Sequence, residues 1–417
     1  MGKRFKTFQS LYTAFMPMEV TASPYPKSAL AACALFHAIN DASFAIVPAI
    51  LPLLVTDFSL TYSDVGVLYA AILTVIVLLQ PLMGDLADKF NELDLLAIGG
   101  FLVFLPFLLM FFAESYLQIF IFNLIYAIGF SIFHPASYAV LSRVTYDVKY
   151  RTKTMGVSGA SGDFGNFIAF LSTGVVASYL GWRTPFLIWG LFALSGVCIH
   201  FLFIRSLRKT SFFTLYNDRE LDSEADRRKQ GSFSNKSMFV IILICICMGA
   251  SYRTFINFTT LFLTDIVKIS TAASDSIFSL FVLAGAIGSL SSFYVAKRIG
   301  LKKAITLEFA FASIGMFLFA MEFMRSVPLL MMILLMSGYV LYATYPILYS
   351  IIAEVVSFGG RGKSYGFVMS ITFIGGVVQS YVGGQLAQIT NDLSVVYLLG
   401  SAVALLAVLV STRMPSA

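Results

Sequence analysis

The sequence predicts an all-α membrane protein, a twelve-helix bundle made of two six-helix pseudo-repeats. Three observations point there. The 417 residues are 58% hydrophobic and 12% charged, about half of the roughly 25% that a hydrated globular surface carries. Twelve apolar runs of membrane-crossing length follow one another along the chain. Lysine and arginine, finally, gather in every second connection between those runs.

A bilayer core about 30 Å thick takes about 20 apolar residues of helix. Such runs lie at 28–56, 62–83, 93–112, 115–142, 153–180, 184–204, 237–264, 273–296, 304–324, 328–354, 363–388 and 393–412. Backbone amides find no partner in hydrocarbon, so each run must close its own hydrogen bonds as a helix. Strands of a membrane barrel would be half as long and would alternate in polarity.

Orientation follows from the basic residues. With the N-terminus in the cytoplasm, only Arg183, Lys268 and Arg325 of the 28 lysines and arginines fall outside, and Arg253 lies within a span. Both termini are then cytoplasmic, in a plasma or inner membrane. The net charge of +6 is spread over cytoplasmic loops that meet anionic head groups, so no nucleic-acid partner is expected. The longest polar segment, 205–236, divides the chain into a half at 28–204 and a half at 237–412, with tails at 1–27 and 413–417. Residues 1–27 contain no continuous apolar region, so no cleavable signal is expected. Phe5, Phe8, Leu11, Tyr12 and Phe15 recur there at three and four, a pattern open to an inner-leaflet helix or a disordered tail. Asp218–Lys229 mixes both charge signs and carries no evident chemistry. The four cysteines sit in apolar runs, and Cys245 and Cys247 fall on different helix faces. Neither a disulfide framework nor a metal nor a cofactor is expected, and the chain is expected to act as a monomer.

Ionisable groups inside a bilayer cost roughly 2.5–3.5 kcal/mol even on permissive scales, and they mark wet cavities. His37, Asn40, Asp41, Phe44 and Pro48 share one helix face. Asp41, with His37 beside it, is the candidate proton carrier; a structural His37–Asp41 pair is the alternative. His134, followed by Pro135, is a candidate cavity residue, as is Asn40. Asp163 lies on a face with Gly156, Gly159, Gly162 and Gly165, which suits a second proton site or a tight helix contact. Arg253 stays charged and presents a planar fork suited to carboxylate or phosphonate, so it is the candidate anchor for an anionic solute; an ion pair with Asp41 or Asp163 is the alternative, or the coexisting state with which solute competes. Gln379, among the glycines of the eleventh run, is a further candidate contact. Glu308 and Glu322 lie near run ends and are expected at the interface.

Three motifs carry a family resemblance. Gly84-Asp85-Leu86-Ala87-Asp88-Lys89 resembles the G-x-L-x-D-[RK] loop signature of the major facilitator superfamily. There Gly84 would allow a sharp exit from the helix, and Asp88 would accept hydrogen bonds from a neighbouring helix N-terminus and latch one side closed. The equivalent stretch in the second half, from Ala296, keeps the glycine and basic residues but not the aspartate. Gly181-Trp182-Arg183-Thr184-Pro185-Phe186 is similar to the superfamily's G-W-R-x-x-F outer turn. Within the superfamily the chain resembles the fosmidomycin-resistance-like efflux group, through His37-Ala38-Ile39-Asn40-Asp41 with Pro48 and Pro52, through Gln80-Pro81-Leu82-Met83-Gly84, and through Gly129 leading to His134-Pro135. It departs from that group in span five, where Asn166-Phe167 follows the glycines and no proline appears.

The resemblance implies a secondary transporter, not an enzyme, whose partners are a small-molecule solute, protons and the lipid bilayer. Alternating access between the two halves would move the solute, with efflux favoured over uptake of a nutrient anion. A transporter-fold sensor without flux is a third possibility. An enzyme acting on lipid-linked substrates would need an ordered polar loop, whereas the external connections here are short and His37, His134 and His200 all lie within the apolar runs.

Overall fold

The computed structural model describes residues 25–144, 148–204, 235–355 and 361–414; the patterns noted at Phe5–Phe15 and Asp218–Lys229 fall outside them. In chain order the helices of the first half are α1 Tyr25–Phe58, α2 Tyr62–Lys89, α3 Glu92–Phe111, α4 Tyr116–Val144, α5 Val148–Leu180 and α6 Arg183–Ile199. Those of the second half are α7 Asn235–Asp265, α8 Thr271–Ile299, α9 Leu301–Ala320, α10 Val327–Val355, α11 Arg361–Thr390 and α12 Ser394–Ser411. A π turn, His200–Ile204, extends α6, and a 3-10 turn, Glu322–Met324, follows α9.

Local chemistry sets the helix ends. Thr61 and Asp64 close a reciprocal capping box at the start of α2, Asn91 caps α3 and Ser270 caps α8, each satisfying amides that the helix leaves open. Gly181 and Gly300 take positive φ values of 83° and 87°, which let α5 turn into α6 and α8 into α9 within one or two residues. One expectation fails here. α2 runs on to Lys89, so Gly84 lies inside the helix and makes no exit turn.

Among the described residues, eleven helices are long and apolar enough to cross a membrane. The remaining one, α5, has 33 residues, about 50 Å of helix, but serines, glycines, Asp163 and Asn166 dilute its apolar content. It is not a lipid-facing helix all round: it packs against α1 in its own half and α8 in the other.

The two halves repeat one packing scheme. α1 lies on α5, α2 on α4, α3 on α4 and α6; six helices later, α7 lies on α11, α8 on α10, α9 on α10 and α12. The halves meet mainly along two seams, α2 with α11 and α5 with α8, and the shift by six helices turns each seam into the other. We call the face where α1 begins and α12 ends the terminal face, and the opposite one the far face.

The α2–α11 seam is closed along its length. Gly66 meets Gly384 near the far face, Gly366 meets the Gln80 backbone, and Gly84 meets Gly362 near the terminal face. Among the described residues the α5–α8 seam is closed near the far face, where Phe170 and Phe278 stand edge to face at 4.7 Å and Gly174 contacts Asp275. Toward the terminal face, Gly156 and Gly159 have no atom within 4 Å of where a side chain would start.

A Cβ at Gly384 would stand 2.6 Å from Gly66 Cα and 2.7 Å from the Tyr62 carbonyl oxygen, so both backbones would have to move. Overpacking of this kind costs about 1–3 kcal/mol. Gly384→Val is therefore expected to lower the melting temperature in detergent by several degrees, whereas Gly159→Val, which points into open space, should leave it unchanged.

Candidate functional site

The site is built on α1, α4, α5 and α7. Asp41 stands at its centre. His37, one turn earlier on α1, places Nε2 3.3 Å from the Asp41 carboxylate, and His134 of α4 places its own Nε2 at 3.8 Å. The Asn40 amide donates to Asp41 Oδ1 at 3.0 Å. His37 Nδ1 lies 3.0 Å from the Ser158 hydroxyl of α5, so a His37 protonated on Nε2 donates to Asp41 and accepts from Ser158. Gly162 of α5 is where this cluster needs space: a Cβ there would stand 2.6 Å from Asp41 and 2.5 Å from the His37 ring. The rings of Phe133 and Tyr138 flank the histidines.

Two imidazoles on one carboxylate can store and hand on a proton. Three donor atoms of His37, Asp41 and His134 lie within 4.8 Å of one another, a spacing that a divalent cation could also span. Asp41 and His134 remain partly accessible, with side-chain exposures of 17% and 12%, and among the described residues His134 Nδ1 is buried without a hydrogen-bond partner. Asp163 neighbours Gly162 on α5, close enough to feel the charges of Asp41 and His37, yet it makes no hydrogen bond or ion pair among the described residues.

Arg253 of α7 faces this cluster from the other half. Its guanidinium carbon lies 4.2 Å over the Phe44 ring, 4.8 Å over Phe373 and 5.5 Å over Tyr252, a set of cation–π contacts. Among the described residues no carboxylate pairs with it. The alternative reading, an ion pair with Asp41 or Asp163, is not formed among the described residues: Phe44, one turn beyond Asp41, packs beneath the guanidinium. Behind it, Tyr252 donates to Tyr342 at 2.9 Å and Asn257 to Ser380 at 2.9 Å.

Other residues move away from the expected roles. Asn40 is buried and its amide is engaged by Asp41. Gln379 points to α12, where Nε2 donates to the Val396 carbonyl at 3.1 Å, which removes it from the site. Glu308 is buried, not interfacial, and accepts from Thr344 at 2.9 Å. His200 ends α6 and pairs with Asp94 at 3.1 Å.

The proline pair of α1 has a use that spacing alone did not reveal. Pro52 has no N–H to give the Pro48 carbonyl, and Thr260 of α7 donates to that carbonyl instead. Thr260's own carbonyl accepts from Ser274 of α8 at 3.0 Å. Near the same face the Gly181-Trp182-Arg183 turn ties three connections together: Trp182 donates to Asp57 and Arg183 to the Ala113 carbonyl. At the terminal face Asp88 accepts from the amides of Gly362 and Lys363, at 2.9 and 3.0 Å, at the start of α11. Sequence reasoning missed Ser158, Phe44 beneath Arg253, and Asp275; none of these contacts lies within one helix, so no periodicity could show them.

Two pseudo-symmetric six-helix halves, with ionisable groups where they meet, make up a polytopic membrane bundle. The sequence profile of the Major Facilitator Superfamily matches residues 33–270 and 239–416, and the chain belongs to that superfamily. It is 25% identical over 270 residues to the uncharacterized MFS-type transporter YfnC of Bacillus subtilis, covering 63% of this chain and 64% of that one. It is 28% identical over 152 residues to the fosmidomycin resistance protein of Escherichia coli, 36% of this chain and 37% of that one. The matches thus span less than two thirds of either relative. The fold resembles the nucleoside transporter NupG, with TM-score 0.69 and 16% identity over 92% of this chain and 99% of that one. It also resembles a bacterial homologue of the human lysosomal transporter Spinster, inward-facing and occupied, with TM-score 0.69 and 14% identity over 94% and 96%.

Hydrogen bonds to a charged group contribute about 1.5–3 kcal/mol each, and Asp88 accepts two from the other half. Asp88→Ala should raise the population with α2 and α11 parted at the terminal face by about tenfold or more. Spin labels at Lys89→Cys and Lys363→Cys would read it as growth of a longer distance component.

Proposed function

We propose that this protein is a proton-coupled secondary transporter that moves a small anionic or amphipathic solute by alternating access, with export favoured over uptake. The observation that supports it best is the juxtaposition of the His37–Asp41–His134 cluster on one half and Arg253, free of any carboxylate among the described residues, on the other. A guanidinium left unpaired against aromatic rings is suited to an anionic group with an apolar body, because the rings accept the body while the fork takes the charge. The carboxylate with its two imidazoles would bind the coupled proton. With no shared ion pair, coupling would pass through α1, which carries both Asp41 and the Phe44 ring under Arg253.

Orientation and direction belong to the same proposal. The excess of lysine and arginine at the terminal face favours a cytoplasmic position for it and for both termini, in a plasma or inner membrane. Asp88 and Gly84 would act as the cytoplasmic latch between α2 and α11. Similarity to the fosmidomycin resistance protein supports export, and fosmidomycin, itself an anionic compound, is the first solute to try. Asn166-Phe167 in α5, where that group often carries Gly-Pro, favours proton-coupled uptake as the second possibility.

The direct test is accumulation of labelled organic anions, fosmidomycin among them, in vesicles holding the purified protein under an imposed pH gradient. Export by proton exchange predicts accumulation in inside-acidic vesicles, and symport predicts the reverse. Asp41→Asn should abolish gradient-driven accumulation and leave solute counterflow intact. Arg253→Ala should raise the KM about tenfold or more, as expected for loss of a charge-assisted contact. No accumulation of any anion in either gradient, or full coupling in Asp41→Asn, would overturn the proposal.

A further inference from the structure

The α5–α8 seam holds a carboxylate that the cycle above does not use. Asp275 is completely buried in the contact that joins the halves near the far face. Its side chain lies against Gly174 of α5, where a Cβ would stand 2.9 Å from that of Asp275. Among the described residues no side chain donates a hydrogen bond to either carboxylate oxygen. The Gly174 backbone amide is the one polar group that lies beside them among the described residues.

Pseudo-symmetry gives this position its meaning. Asp275 and Gly66 are each the fifth residue of their helix, and the shift by six helices exchanges their seams. Gly66 meets Gly384, glycine against glycine; Asp275 meets Gly174. Where one seam has no side chain at all, the other has an ionisable one with nothing to neutralise it.

The charged groups on the surrounding helices are all occupied or distant. On α5, Tyr179 is exposed and Asp163 lies about three turns away. On α7, Arg253 lies over the Phe44 and Phe373 rings about two turns from Thr260, and Asp265 at the helix end is bound by Tyr62 and Lys268. On α10, Tyr339 and Tyr342 bond to Ser291 and Tyr252. Glu308 of α9 is held by Thr344. On α1, Asp57 takes the Trp182 N–H and Asp41 lies in its own cluster. None of them reaches Asp275. An unpaired carboxylate charge in such a contact opposes its closure, whereas the same side chain carrying a proton is neutral and fits.

We propose that Asp275 is a proton-binding gate residue: the far ends of α5 and α8 close once it takes a proton from far-side water, and it returns that proton to the same side when they part. The proton is not carried across, so it adds nothing to the number moved per solute. It makes opening of the far gate depend on the pH of the far side alone. This rests on the alternating access proposed above, but not on Asp41 as the coupled carrier.

The test uses full-length protein in nanodiscs, with exposed Cys198 changed to serine and spin labels at Tyr179→Cys and Ala273→Cys across the far seam. The open-to-closed ratio should rise by up to about tenfold per pH unit, the slope set by release of one proton on opening. Asp275→Asn should stay closed with no slope between about pH 5 and pH 9. Asp275→Gly, which copies the Gly66 position, should do the same and serves if the asparagine variant does not fold. A pH-independent parent, or either variant keeping the parental slope, would overturn the gate. Asp41→Asn is expected to keep this slope while losing gradient-driven accumulation, and Asp275→Asn to keep the proton-to-solute ratio. If Asp41→Asn stays coupled, the coupling proposal fails and the gate stands; if it alone removes the slope, the gate fails.

Discussion

Hydrocarbon offers no hydrogen bond, and that constraint decides where each polar group of this bundle can stand. Serine and threonine hydroxyls turn back to carbonyls of their own helix, as Thr74 does to Ala70 and Thr306 to Lys302. Groups that cannot be satisfied locally collect where helices cross. α5 is the extreme case, too polar to face lipid all round, and its polar face therefore meets α1. There Ser158 reaches His37 and Gly162 leaves room for Asp41. The site is, in this sense, the place where the helix least suited to lipid finds its partners.

The same constraint shapes the two seams. Glycines bring α2 and α11 backbone to backbone at points from one face to the other, a contact that suits a surface about which the halves can tilt. The α5–α8 seam has fewer such contacts. It is held near the far face by Phe170, Phe278 and the Gly174–Asp275 contact, and it has open space beside Gly156 and Gly159. Two seams related by pseudo-symmetry are therefore in different conditions within one structure.

Much of the architecture was legible in the chain because lipid imposes a length and a composition on each crossing. All twelve helices fall where the apolar runs place them, even α5, whose composition is the weakest. Asp41, His37 and the polar stripe of α1 were legible for the same reason, since periodicity within one helix identifies a shared face. What lies opposite that face was not. His134 at Asp41, Phe44 under Arg253 and Gln379 turned to α12 depend on the rotation of one helix against another, which no single helix encodes. Gly84 shows the converse. The motif was recognised, but its glycine permits the close approach of a distant helix and ends nothing.

α1 gathers these strands. Along one helix stand Asp41 with its histidines, Phe44 beneath the arginine of the other half, and the Pro48 carbonyl that Thr260 engages. The last contact exists because Pro52 cannot supply an amide, so a gap in the helix ladder becomes a hydrogen bond between halves. The chain of bonds continues from Thr260 to Ser274, the residue before Asp275. A change at Asp41 that shifts α1 by even a fraction of a turn must therefore disturb the ring under Arg253 and the bond to Thr260 together. Charges held by separate neighbours can still be coupled when a single rigid element carries the neighbours of both.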